Sequence, residues 1–66
     1  MEASIKVPAR VLEAITLVRD SGVTNMFDIM RVQYECLGYG YHDVVTWIDE
    51  HRGEYVEGIF KGFEKE

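Results

Sequence analysis

The chain has 66 residues, an apolar content of 47% and a net charge of −5. Its length predicts one small domain over residues 1–66, since so short a chain buries only about 60% of its unfolded surface. The acidic balance, without a cluster of basic residues, disfavours direct nucleic-acid binding. Cys36 is the only cysteine, which excludes a disulfide within the chain and fits a reducing setting. We therefore expect a cytoplasmic protein, and no apolar run approaches the ~18 residues of a membrane span.

The first predicted element is a helix over residues 8–21. Residues 1–6 lack periodicity and are predicted to form a short arm. Pro8 suits the first turn of a helix, and Gly22 can take the left-handed conformation that ends one. The apolar residues of this helix share one face with Val7, which directly precedes Pro8. The residues of this face are Val7, Val11, Ala14, Ile15 and Val18.

A second helix is predicted over residues 25–37. Thr24 or Asn25 can cap it, and Asp28 lies near the positive end of its dipole. Gly38 is the expected stop. One side of it is lined by Met26, Ile29, Met30, Gln33, Cys36 and Leu37, and Phe27 and Tyr34 widen that side.

The next segment has both strand and helix character. VVTWI at residues 44–48 has strand propensity, but Tyr41, Val44, Val45 and Ile48 also fit the helical spacing. No second strand pattern is present to pair with it, so we predict a third helix over 41–52. A fourth is expected from about 53–54 to Phe63. Four short helices with short connections predict an all-α fold, a small bundle of three to four short helices.

Several motifs together resemble a known family. They are TNMFD at 24–28, LGY at 37–39, WI at 47–48, Tyr55 and GIFKGF at 58–63. In this order and spacing they resemble a small domain-of-unknown-function family of bacteriophages and Firmicutes prophages, from Val7 to Phe63. The resemblance implies a phage-associated protein in the host cytoplasm and carries over no catalytic residue. It favours an accessory protein that acts on a host component.

Two glycines interrupt the apolar fourth helix. A glycine inside a helix costs roughly 0.5–1 kcal/mol relative to alanine. On a continuous helix, Gly58 and Gly62 share a face where another backbone can approach closely. The occupant is either a partner molecule or another part of this chain, and the alternative is that the helix ends at one glycine. Because the helix is apolar on two sides, we expect part of its surface to remain for a partner.

An acidic row accompanies these glycines. Glu50, Glu54 and Glu57 repeat at helical spacing if the chain stays helical through Gly53. The row is either a solvated face or a patch that steers the protein onto a basic surface. The predicted partner-binding residues are Glu50, Glu54, Glu57, Gly58, Ile59, Phe60, Gly62 and Phe63.

Other candidate sites have weaker signals. Tyr39 and Tyr41, in the turn between the second and third helices, suit either the core or an interface. His42, His51 and Cys36 lack zinc-ligand spacing. Cys36 falls on the predicted core-facing side of the second helix, where a thiol is usually buried. We therefore predict no catalytic residue, no metal and no cofactor.

These patterns predict a non-enzymatic, phage-associated, small acidic protein that acts through protein–protein contact. Its partner is expected to be a second copy, a host protein or both, and its role that of an inhibitor or modulator of a host defence system. A homodimer through the fourth helix would add stability to a domain with a small core. The alternative is a structural or nucleic-acid accessory module with a helix-turn-helix-like core. That function needs a basic face, and Arg10, Arg19 and Arg31 are dispersed.

Overall fold

Residues 4–22 and 24–66, which the computed structural model describes, form four helices and one pair of short strands. The predicted all-α bundle is therefore confirmed, with a small sheet added to it. The elements in chain order are β1 (Ile5–Val7), α1 (Ala9–Ser21), α2 (Ile29–Gly38), α3 (His42–Glu50), α4 (Arg52–Lys61) and β2 (Phe63–Lys65).

Helix α1 matches its prediction closely. Pro8 is its N-cap, and it ends where Gly22 takes a left-handed φ of 68°. The Gly22 N–H donates to the carbonyl of Arg19, which satisfies one of the last free carbonyls of the helix. Its buried residues are Val11, Ala14, Ile15 and Val18.

Helix α2 begins at Ile29, so the prediction of a start at residue 25 was wrong. Asn25 Oδ1 accepts a hydrogen bond from the Phe27 N–H at 2.8 Å, and this short-range bond holds a turn instead of capping a helix. Asp28 is the N-cap, and its carboxylate accepts from the Arg31 N–H at 3.3 Å. Asn25 and Asp28 can both cap a helix, and the helix begins after Asp28.

The buried side of α2 is narrower than predicted. Val32 and Cys36 are fully buried, and Ile29 is partly buried against the core. Met30 and Leu37, which were predicted on the core-facing side, are exposed. Apolar residues occupy more than half of the circumference of this helix, and the neighbouring elements cover only one part of it.

Helices α3 and α4 are separated by one residue. The helical prediction for the VVTWI segment is confirmed, but α3 ends at Glu50 and not at residue 52. His51 has a φ of −133°, which is outside the helical region. Its Nδ1 donates to the Trp47 carbonyl at 2.7 Å, and its ring stacks on the indole at a centroid distance of 4.4 Å. The side chain of His51 thus covers the break, and α4 starts at Arg52.

The two ends of the described chain pair as a parallel sheet. Ile5 lies opposite Phe63 and Val7 opposite Lys65, and the Ile5 N–H donates to the Gly62 carbonyl at 2.9 Å. Within the short arm predicted over residues 1–6, Ile5 and Lys6 belong to β1, while residues 1–3 lie outside the described part. Three-residue strands are too short to show an alternating pattern, so the sequence did not reveal them.

One hydrophobic core joins all these elements. Tyr55 is its largest fully buried side chain, and its hydroxyl donates to the Met26 carbonyl at 2.7 Å. This bond ties α4 to the turn before α2. The buried apolar residues are Val7, Val11, Ala14, Ile15, Val18, Val32, Cys36, Val44, Ile48 and Tyr55.

Candidate functional site

The apolar residues of the predicted contact site face different directions. Phe60 is 76% exposed, whereas Ile59 and Phe63 are partly buried against the core. The Phe63 ring lies 5.9 Å from that of Tyr55, centroid to centroid. Phe60 is therefore the member of this group that offers most of its side chain to a partner.

The two glycines have separate internal roles. Gly58 is buried, and a Cβ atom built on it would overlap the ring of Phe63. Gly62 has a φ of 94°, a left-handed conformation that favours glycine. It ends α4 at Lys61, so the prediction that this helix reaches Phe63 was wrong. Gly58 leaves room for the Phe63 ring, and Gly62 ends the helix and turns the chain. These roles correspond to the two intramolecular alternatives, close packing by another part of this chain and helix termination at a glycine.

The predicted acidic row is interrupted. Glu50 is the last residue of α3, while Glu54 and Glu57 lie on α4, so the condition of one continuous helix through Gly53 is not met. All three carboxylates are exposed. Glu57 accepts a hydrogen bond from Lys61 Nζ at 3.1 Å, which offsets part of the local negative charge.

A larger apolar surface lies on α2. Met30 is 77% exposed and Tyr34 is 66% exposed, while Leu37 is exposed over about half of its surface. These three residues are neighbours on one face of the helix, since they are four and three positions apart. Sequence reasoning missed this face because an apolar stripe at helical spacing normally points to the core.

The same surface continues onto α4. Phe27, in the turn before α2, is 50% exposed, and its ring centroid lies 5.3 Å from that of Phe60. This pair joins the face of α2 to the exposed ring of α4. We call the whole surface the apolar stripe, and it consists of Phe27, Met30, Tyr34, Leu37 and Phe60.

The apolar stripe is large for a chain of this size. With about 200 Å² for each complete large side chain, the five residues expose on the order of 600 Å². The largest apolar patch on a typical monomer is about 300–600 Å², and such patches are often functional. The total accessible surface is 4221 Å², so roughly a seventh of it belongs to this patch. The area is enough to form the centre of a contact with another molecule.

The charged groups next to the apolar stripe are paired within the chain. Arg31 Nε donates to Glu35 at 3.0 Å, and its guanidinium lies 5.6 Å from the centroid of the Tyr34 ring. Beside Phe60, Lys61 pairs with Glu57. These two ion pairs place both signs of charge beside the stripe.

The remaining arginines considered for nucleic-acid binding also have acidic partners. Arg10 donates to both carboxylate oxygens of Asp43, at 2.6 and 3.0 Å, and these hydrogen bonds lower the pKa of Asp43. Arg19 Nε lies 3.7 Å from Asp20. Their charges are therefore partly neutralised locally and do not add up to a basic face.

Neither of two surface depressions presents an obvious reaction centre. An open groove of about 410 Å³ along α1 is lined by apolar residues, with the exposed carboxylates of Glu13 and Asp20 at its side. A smaller cavity of about 100 Å³ lies under the carboxyl-terminal turn, next to Gly58 and Ile59. Catalytic sites usually combine an enclosed apolar pocket with converging polar groups, and neither depression has that combination.

Cys36 has the properties of a core residue. Its side chain is fully buried, and burial raises the pKa of its thiol to about 11. The thiol is therefore neutral near pH 7 and a poor nucleophile. Within residues 4–22 and 24–66, no three His, Cys, Asp or Glu side chains are grouped closely enough to hold a metal ion. None of the helices in the described part is long and apolar enough to cross a bilayer.

Comparison with known proteins identifies one family. The family described as "Domain of unknown function (DUF5049)" matches residues 8–63, which is most of the chain. The predicted resemblance to a small domain-of-unknown-function family is confirmed at this level, and its phage and Firmicutes setting stays a prediction. No curated protein and no solved structure matches the chain.

Proposed function

The chain belongs to the DUF5049 family, and we propose that it acts by protein–protein contact through the apolar stripe. The observation that supports this proposal is the exposure of Met30 and Phe60, at 77% and 76%, within one continuous apolar surface. Leaving so much apolar surface in water is unfavourable by about 25 cal/mol per Å². A partner that covers the stripe recovers that free energy.

The composition of the apolar stripe favours a protein partner over other ligands. Phenylalanine, tyrosine and methionine are enriched in the buried centres of protein interfaces, and charged residues are depleted there. The stripe has three aromatic rings, a methionine and a leucine, with paired charges such as Arg31–Glu35 at its rim. Nucleic acid would need clustered unpaired cations for its phosphates.

The phage-associated role belongs to the same proposal. If the chain is encoded by a phage or prophage, as its motifs suggest, a host protein is one class of partner, and inhibition or modulation of a host system is the expected consequence. The exposed carboxylates of Glu54 and Glu57 lie on the same helix as Phe60. They would favour a partner with a basic rim through long-range attraction. We propose no enzymatic step.

Co-purification from the native host cytoplasm tests this function. Met30→Glu and Phe60→Ser both change exposed side chains, so they should remove the contact and leave the fold intact. Leu17→Ser is the control, because Leu17 is an apolar residue on α1 that is exposed, at 39%, and lies outside the stripe. Circular dichroism should show the same helix content for all variants. If both stripe variants recover the same proteins and the same self-complexes as the wild type, the proposal is refuted.

A further inference from the structure

The α2 part of the apolar stripe has a symmetric arrangement. Phe27, Met30, Tyr34 and Leu37 are separated by three, four and three positions. Phe27 lies in the turn just before the helix and the other three lie on it. Reversing the chain direction leaves these intervals unchanged, and their midpoint lies between Met30 and Tyr34. Such a face can pack against an identical face running in the opposite direction, as a two-fold symmetric interface requires.

Resting on the proposed function, we infer that the partner covering the α2 part of the apolar stripe is a second copy of this chain, with the two α2 helices antiparallel. A two-fold axis on the exposed side of α2, between Met30 and Tyr34, places Met30 against the partner's Tyr34, and Phe27 against the partner's Leu37. A methionine sulfur and an aromatic ring attract each other. Each large side chain thus meets one of different shape, which suits interdigitation.

The charges of the molecule are compatible with this pairing. Two chains of net charge −5 repel each other at long range, so a stable dimer needs an interface without excess negative charge. The five residues of the stripe are uncharged, and Arg31 is already paired with Glu35 beside them.

The area of the stripe meets the requirement of a small dimer. The four residues of the α2 part expose about 480 Å² in each copy at about 200 Å² for each complete side chain. Covering them in both copies buries on the order of 1,000 Å², the lower limit for a specific interface. The dimer also adds apolar contacts to a chain whose fully buried core contains one aromatic ring, that of Tyr55. Oligomerisation is a common way of stabilising domains of this length.

Light scattering coupled to size-exclusion chromatography tests directly whether the partner is a second copy of this chain. The wild-type chain at about 100 μM should elute with twice the monomer mass of 7.6 kDa, and its mass should fall on dilution. Met30→Glu should be monomeric at the same concentration, since it places two carboxylates in an apolar interface. Leu17→Ser should remain dimeric. A strict monomer, or a dimer that survives Met30→Glu, overturns the inference.

Cysteine crosslinking tests the antiparallel direction. In packed helices about 8–10 Å apart, facing Cα atoms lie within disulfide range. A mixture of Met30→Cys and Tyr34→Cys chains, oxidised with copper phenanthroline, should therefore form mostly mixed disulfides. Met30→Cys by itself should crosslink poorly, because the two copies of that residue are offset by about 6 Å along the helices. Preferential Met30→Cys self-crosslinking indicates parallel helices and contradicts the inference. Native Cys36 is buried, and the wild-type chain controls for it.

The outcomes separate this inference from the proposed function. If the chain is a monomer by light scattering while Met30→Glu loses a host protein in co-purification, a second copy is excluded and protein contact through the stripe stands. If the chain is a monomer and Met30→Glu changes no co-purified protein, both fail. A dimer abolished by Met30→Glu with the mixed disulfide supports both.

Discussion

Replacing Gly58 with alanine should destabilise the protein, although alanine is the better helix former. Gly58 lies inside α4 and is buried. An added Cβ would overlap the Phe63 ring, which follows the turn at Gly62. The ring also lies beside Tyr55, so the methyl group displaces a side chain that is packed on the core.

The expected magnitude is the difference between two opposing effects. Alanine gains about 1 kcal/mol over glycine in a helix interior. Overpacking a filled site costs typically 1–3 kcal/mol, and moving Phe63 away from Tyr55 loses roughly 0.5–1.5 kcal/mol of aromatic contact. The free energy of unfolding should therefore fall by about 0.5–3.5 kcal/mol. For a domain of this length each kcal/mol lowers Tm by roughly 4–8 °C.

Urea and thermal unfolding followed by circular dichroism measure this change. Gly53→Ala is the control, because Gly53 lies in the same helix with nothing within 4 Å of its added Cβ. It should raise stability by about 0.5 kcal/mol. In a Phe63→Ala background the overlap is gone, and Gly58→Ala should become stabilising. A Gly58→Ala variant that is as stable as Gly53→Ala would refute the reasoning.

Three further predictions concern single groups. Tyr55→Phe leaves the Met26 carbonyl without its 2.7 Å donor, and the free energy of unfolding in urea should fall by about 1–2 kcal/mol. The raised pKa of Cys36 means that its contribution to stability is complete below its ordinary value of 9.0 and is lost as the pH rises toward 11. Urea midpoints should fall over that range, and less for Cys36→Ala. Arg10 lowers the pKa of Asp43, so this pair stabilises the fold above pH 3.8 and loses its effect in acid. Asp43→Asn should weaken the acid dependence measured by the same titration, and an unchanged acid dependence would contradict that role.

Much of the fold could be predicted from local chemistry. Pro8 and Gly22 bound α1 because their backbone preferences act whatever the rest of the chain does. The start of α2 depended on whether Asn25 or Asp28 would cap the helix, which is decided by the turn that Asn25 closes with Phe27. The strand β2 depended on contact with β1 at the other end of the described chain, and such long-range pairing has no local signal.

The contact surface was harder to predict for a related reason. Hydrophobic periodicity shows that one face of a helix is apolar, but it does not show which part the neighbouring helices cover. In α2 they cover Val32 and Cys36 and leave Met30 and Tyr34 in solvent. The apolar surplus that we expected mainly on α4 is therefore located mostly on α2, with Phe60 as the contribution from α4.

In-cell photo-crosslinking tests the central claim, that the apolar stripe contacts a protein, most directly. A photoreactive phenylalanine analogue at Met30 or Phe60 should yield protein adducts, either with a second copy or with another protein. The same analogue at Leu17, exposed on α1, should yield few. Adducts at the two stripe positions and not at the control are the predicted result. The absence of adducts from both stripe positions in cells that express the folded chain would contradict the account.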